Sequence, residues 1–166
     1  MTIKTRAIKA RKQRLSFSCG PASLRTIFHF YGLSVSEQEL IEKGQIQNDG
    51  TSHQMMSKLA RMYNFKCYSK SNASVEDLEK WIKKGYPVIV NFQLGIPNGV
   101  NGHYAIIYGY DDKFFFLADP ANYNEEDGKK FTENNKITRK KFIESWWDND
   151  EKANETSKWY CLIRPK

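Results

Sequence analysis

Apolar residues recur with a helical period through the first half of this chain and with a strand period through the second, and that division constrains the fold more than any single motif. Leu24, Ile27, Phe28 and Tyr31 stand at i, i+3, i+4 and i+7, with Pro21 near the first turn and Gly32 placed as a stop. Ser36-Glu-Gln-Glu39 has the pattern of a capping box and opens a short helix that Gly44 ends. Met56, Leu59, Ala60 and Tyr63 form the stripe of a third helix, and Ser74 caps a fourth whose Val75, Leu78, Trp81 and Ile82 turn inward before Gly85. From Pro87 the pattern changes. Pro87-Val-Ile-Val-Asn-Phe92 reads as a buried strand, His103 to Tyr110 and Lys113 to Asp119 as a hairpin turning at Asp111-Asp112, and Trp159 to Arg164 as a closing strand. One further helix carries Phe142, Ile143 and Trp146, while Asn122 to about Lys136 and Asp148 to Ser157 read as polar, solvated loops. Helices first and strands afterwards predict an α+β domain, not an alternating α/β sheet.

The start of the first helix carries the chemistry. Cys19 opens it within the run Gln13-Arg-Leu-Ser-Phe-Ser-Cys19-Gly-Pro-Ala, so its sulfur faces the positive end of the helix dipole, where a thiolate is favoured. Gln13, six residues upstream, can fold back beside the sulfur and donate to an oxyanion together with the Cys19 backbone N–H. A nucleophilic cysteine needs a base. His29 lies about fifteen ångströms along the same helix and cannot serve, and His53 follows Thr51-Ser52 at a helix start, where a capping or solvated role suits it. His103 begins a strand after the Gly-rich loop from Gly95 to Gly102. If the hairpin pairs about Asp111, or half a residue later, His103 faces Asp119 or Pro120, with opposed Cβ atoms about 5 Å apart. His103, Ala105 and Ile107 then share a face with Asp119, Leu117 and Phe115, and the carboxylate is positioned to orient the imidazole.

These residues resemble a known family. Gln13, Ser18-Cys19-Gly20-Pro21-Ala22, Gly102-His103-Tyr104, Gly109-Tyr110-Asp111-Asp112 and Ala118-Asp119-Pro120 are similar, in order and spacing over roughly residues 13 to 147, to the papain-like bacteriocin-processing peptidases, family thirty-nine of the cysteine peptidases. The resemblance implies a papain-like fold, with N-terminal helices packed on a C-terminal antiparallel sheet and a cleft between them. It also implies Cys19 as nucleophile, His103 as general base and acid, Asp119 as orienting carboxylate and Gln13 as oxyanion donor. Ser18 stands where transporter-linked members carry an acidic residue, and no exporter segment accompanies the domain, so a stand-alone member is expected. The expected reaction is hydrolysis of a peptide bond through a thioester, possible leader processing included, with a peptide or protein as substrate and no metal or organic cofactor. Two alternatives are a transferase using the same triad and a peptide-binding module without catalysis.

Composition bounds the rest. The 166 residues, 40% hydrophobic and 14% aromatic, suffice for one domain over 1–166, with residues 1–12 as a basic N-terminal arm. The basic residues behind the formal charge of +7 are concentrated in the first fourteen positions and scattered elsewhere, without a dominant stripe or a nucleic-acid-binding module, so a basic surface that draws in peptides is expected in place of nucleic-acid binding. Neither a secretory signal nor an apolar membrane span is found, and a cytoplasmic, monomeric protein is the default expectation. The three cysteines make no disulfide framework or C-x-x-C pair, and Cys67 and Cys161 read as buried or strand residues without chemistry.

Overall fold

The computed structural model describes residues 1–93, 102–121, 134–149 and 155–166. The Gly95 to Asn101 part of the Gly-rich loop and the Asn122 to Glu133 part of the polar loop lie outside the described residues. Helix α1 (Cys19–Phe30) buries Leu24, Ile27 and Phe28 completely, and Gly32 takes the left-handed conformation, φ 88°, that stops it. Helices α2 (Glu37–Gly44) and α3 (His53–Met62) follow, capped by the Ser36 and Ser52 hydroxyls, which accept from the Glu39 and Met55 N–H groups. The capping box expected at Ser36 is half formed, because the Glu39 carboxylate instead accepts from the Tyr63 hydroxyl at 2.6 Å. In α4 (Val75–Lys83) the Ser74 box is complete.

Seven strands among the described residues form one antiparallel sheet: β1 (Ile3–Lys4), β2 (Phe65–Lys70), β3 (Val88–Gln93), β4 (Gly102–Tyr110), β5 (Phe114–Ala118), β6 (Asn135–Thr138) and β9 (Tyr160–Pro165). Their order is β2-β9-β3-β4-β5-β6, and β1 pairs with β4 where β3 has ended, through Ile3 with Tyr110 and Lys4 with Gly109. Helix α5 (Arg139–Ser145) leads into a separate hairpin, β7 (Trp147–Asn149) with β8 (Glu155–Ser157). That hairpin replaces part of the solvated loop expected from Asp148 to Ser157, and β6 begins inside the polar stretch expected to reach Lys136.

Period-two alternation sends the central strands into two cores. Ile89, Ile106 and Cys161 face α1, α2 and α3, meeting Leu24, Ile27, Phe28, Leu40, Met56 and Leu59. Val88, Val90, Ile107 and Leu162 face the other way, toward Leu78 and Ile82 of α4 and toward Phe142 and Trp146 at α5. Strand β3 is therefore buried on both faces, which is why its apolar residues Val88, Ile89, Val90 and Phe92 do not alternate with exposed polar ones. Ile143, expected in the same stripe, is exposed. The N-terminal segment is not a projecting arm. Ile8 and Ala10 are buried in the first core, Arg6 lies over the Phe30 ring and donates to the Phe30 carbonyl, and the Thr5 N–H bonds Tyr108 O at 2.8 Å. No helix among the described residues is long and apolar enough to cross a membrane.

Candidate active site

Cys19 is the first residue of α1 and is half-buried. Ser18 precedes it but does not cap the helix; its hydroxyl bonds the Leu15 carbonyl at 2.9 Å and the Glu37 carboxylate at 2.6 Å. The helix start is thereby held without a side chain laid across its first N–H groups. Gly20 packs against α3's approach so closely that an added Cβ would stand 2.7 Å from Thr51 Oγ1 and 2.8 Å from Thr51 Cβ. A glycine after the cysteine is thus a packing requirement.

His103, the second residue of β4, is buried, with Phe92 against it edge-to-face at 5.7 Å. Its Nε2 is 2.6 Å from Asp119 Oδ1, and the same oxygen accepts the Ala121 N–H at 2.9 Å, fixing the carboxylate through its own following turn. Nδ1 is left for the sulfur side. Burial opposes a charge on the ring, but hydrogen bonds to the Asp119 and Cys19 side chains outweigh it and push the His103 pKa up to about 10. The structure therefore gathers Cys19, His103 and Asp119 into one constellation.

The path to that geometry differs from the simple hairpin. Pairing starts about a point between Asp112 and Lys113, with Tyr110 opposite Phe115 and Gly109 opposite Phe116. Continued unbroken, this register would set Asp119 opposite Ile106, on the face away from His103. Tyr108 is an extra residue in β4, so Ile107 pairs with Leu117 and Ile106 with Ala118, and Asp119 falls beside Ala105. The bulge restores Asp119 to the His103 face as a diagonal neighbour instead of a directly opposed one. At Gly109 β1 comes so near that a Cβ would meet Lys4 Cγ at 2.6 Å.

Gln13 is buried in the turn leading to Cys19, and its backbone N–H bonds the carbonyl of Pro120, next to Asp119, at 2.9 Å. Its side-chain Nε2 donates to the Leu15 and Ser16 carbonyls at 2.8 and 3.3 Å, and Oε1 finds no partner among the described residues. His29 is exposed at the end of α1. His53 stacks on Trp159 at 4.0 Å with its Nε2 3.0 Å from Asn91 Nδ2, while Ser52 does the capping. Two residues at the site have no sequence signal. Glu37, almost fully buried, accepts from the Arg14 N–H at 3.0 Å and from Ser18, yet a glutamate in a first helical turn is ordinary. Asp148, in β7, sits against Gly102 where any Cβ would be and accepts from Gln93 at 3.2 Å.

A model of the Peptidase_C39 like family matches residues 5–154. The chain belongs to the peptidase C39-like family. Its fold is that of solved C39 peptidase domains: the peptidase domain of Streptococcus ComA, a bi-functional ABC transporter involved in quorum sensing, is 21% identical with a TM-score of 0.71, covering 96% of this chain and all of that one. A double glycine motif protease from an AMS/PCAT transporter, solved in complex with the leader peptide, is 19% identical with a TM-score of 0.70, covering 100% of this chain and 99% of that one. An uncharacterised protein of Methanothermobacter marburgensis is 29% identical over 110 residues, 66% of this chain and 70% of that protein. Membership in the C39-like family supports a peptidase function.

Proposed function

We propose that this C39-like chain is a cysteine peptidase that cleaves a peptide bond through Cys19, His103 and Asp119. The observation that carries the reading is the buried His103 ring, bonded by Nε2 to Asp119 and interacting with the Cys19 side chain at a helix start. In the proposed cycle the Cys19 sulfur, its proton handed to His103, attacks the peptide carbonyl. The C–N bond breaks as His103 protonates the leaving amine, and a water deprotonated by His103 hydrolyses the thioester. Asp119 stabilises the imidazolium and holds the ring in one orientation. The Cys19 N–H is one oxyanion donor and Gln13 Nε2 the other, its longer bond to Ser16 being the one the oxyanion displaces. The leader peptide bound to the AMS/PCAT protease favours a peptide leader as substrate class.

The test incubates the full chain with peptides carrying and lacking a double-glycine site, with and without a competing amine, and follows products by mass spectrometry. Free carboxyl product with an acyl group trapped on Cys19 supports the peptidase. Amide product in preference to acid would assign a transferase, and unmodified Cys19 with intact but bound peptide would leave a binding module.

A further inference from the structure

Strands β2 and β9 bring the two remaining cysteines together. Cys67 pairs with Ile163 and Ser69 with Cys161, so the two cysteines are diagonal neighbours on one face of the sheet, and their sulfurs lie 2.9 Å apart as free thiols. Closing to the roughly 2.05 Å of a disulfide requires movement of less than about an ångström. The two thiols are not equivalent. Cys67 is half-buried on the edge strand, whereas Cys161 is completely buried in the first core.

We propose that Cys67 and Cys161 form a second thiol site, an oxidisable pair in which Cys67 reacts with a hydroperoxide and Cys161 resolves the product to a disulfide. The hydrogen bond from Cys161 brings the Cys67 pKa down to about 7 against the opposing effect of burial, and the Ser57 hydroxyl and the Arg61 charge, one turn apart on α3, act in the same direction. The Cys67 thiolate attacks one peroxide oxygen, the O–O bond breaks, and the departing hydroxide takes a proton to become water. The Cys161 sulfur then attacks the sulfur of the Cys67 sulfenic acid, the S–O bond breaks, and hydroxide leaves with the Cys161 proton as a second water. Two thiols lose two electrons and two protons, and hydrogen peroxide gains them. None of this rests on the peptidase reading, since Cys19 takes no part.

The full chain carrying Cys19→Ala retains only these two cysteines. After hydrogen peroxide, denaturation and alkylation, both thiols should be lost together, with one Cys67–Cys161 linked peptide that dithiothreitol releases. With Cys161→Ser added, Cys67 should be trapped by dimedone as the sulfenic acid, and with Cys67→Ser added, Cys161 should stay alkylable. Both thiols remaining alkylable in Cys19→Ala at a peroxide dose that oxidises Cys19 in the wild type would overturn the proposal. So would disulfides found only between molecules. The Cys19→Ala arm decides the matter even if a serine variant fails to fold.

Discussion

Asp119 Oδ1 accepts from two donors at once, the ring of His103 and the Ala121 N–H, so its orientation does not depend on the imidazole alone. Replacement by Asn keeps an acceptor oxygen but removes the charge that favours the imidazolium. Asp119→Asn should therefore lower kcat/KM less than His103→Ala, for which general acid-base chemistry sets a loss of about 10²–10⁴-fold. Equal losses measured across pH on one peptide would give the carboxylate a direct part in proton transfer. Cys19→Ala should abolish turnover while keeping the far-UV spectrum, since alanine suits a helix start that lacks a side-chain cap. The raised His103 pKa also predicts a stability profile. Its folded value, about 10, exceeds the ordinary 6.5, so the stabilisation is complete below pH 6.5 and is lost as pH rises through about 10. Urea titrations from pH 6 to 10 should show the wild type losing its advantage over Asp119→Asn as pH rises; a constant difference would mean that the ring is not charged by its partner.

At the scale of elements, the nucleophile's helix is held by its neighbour α2. The Glu37 carboxylate takes the Arg14 N–H and the Ser18 hydroxyl, which fixes the turn from Gln13 to Cys19, and its Oε2 has no partner among the described residues. Glu37→Ala removes both hydrogen bonds, one such bond to a charged group being worth about 1.5–3 kcal/mol, whereas Glu37→Gln retains an acceptor. The alanine variant should lose at least that much stability and lower kcat more than it raises KM; the glutamine variant should lose less of both. A glutamine as damaged as alanine would show that the charge itself is what holds the turn. Nothing in Ser36-Glu-Gln-Glu39 separates this glutamate from a surface residue, because its burial depends on where α2 packs. Cys19, His103 and Asp119 are legible by contrast, since a cysteine at a helix start and a histidine and an aspartate at the strand ends of one hairpin carry local signals. Their register is not, because the Tyr108 bulge is set by β1 and β5 together and leaves no mark in an apolar run. Strand β2 escapes for a similar reason: Phe65 is its one buried residue, and its pairing partner β9 is nearly a hundred residues away. Cys67 and Cys161 look unrelated in sequence until that pairing is made.

Across the whole molecule, one sheet separates two cores, and this geometry decides how the chain unfolds. Val88, Ile89 and Val90 alternate between the cores along a single strand, as do Ile106 and Ile107, so neither core can be dismantled without breaking strands that the other requires. The N-terminal segment adds Ile8 and Ala10 to the first core, while Ile3 packs against the second. Gln13 then joins this segment to the carbonyl of Pro120 beside the site. A chain connected in this way should unfold in one step despite its two cores, with calorimetric and van't Hoff enthalpies equal. Leu24→Ala empties space in the first core and Leu117→Ala in the second, each at a cost of about 2–5 kcal/mol. Both variants should lower the midpoint of the same single transition, followed by far-UV and near-UV circular dichroism together. If Leu117→Ala instead produced an early transition that left the first core and the Cys19 helix folded, the sheet would not couple its two sides, and His103 and Asp119 could part from Cys19 without global unfolding.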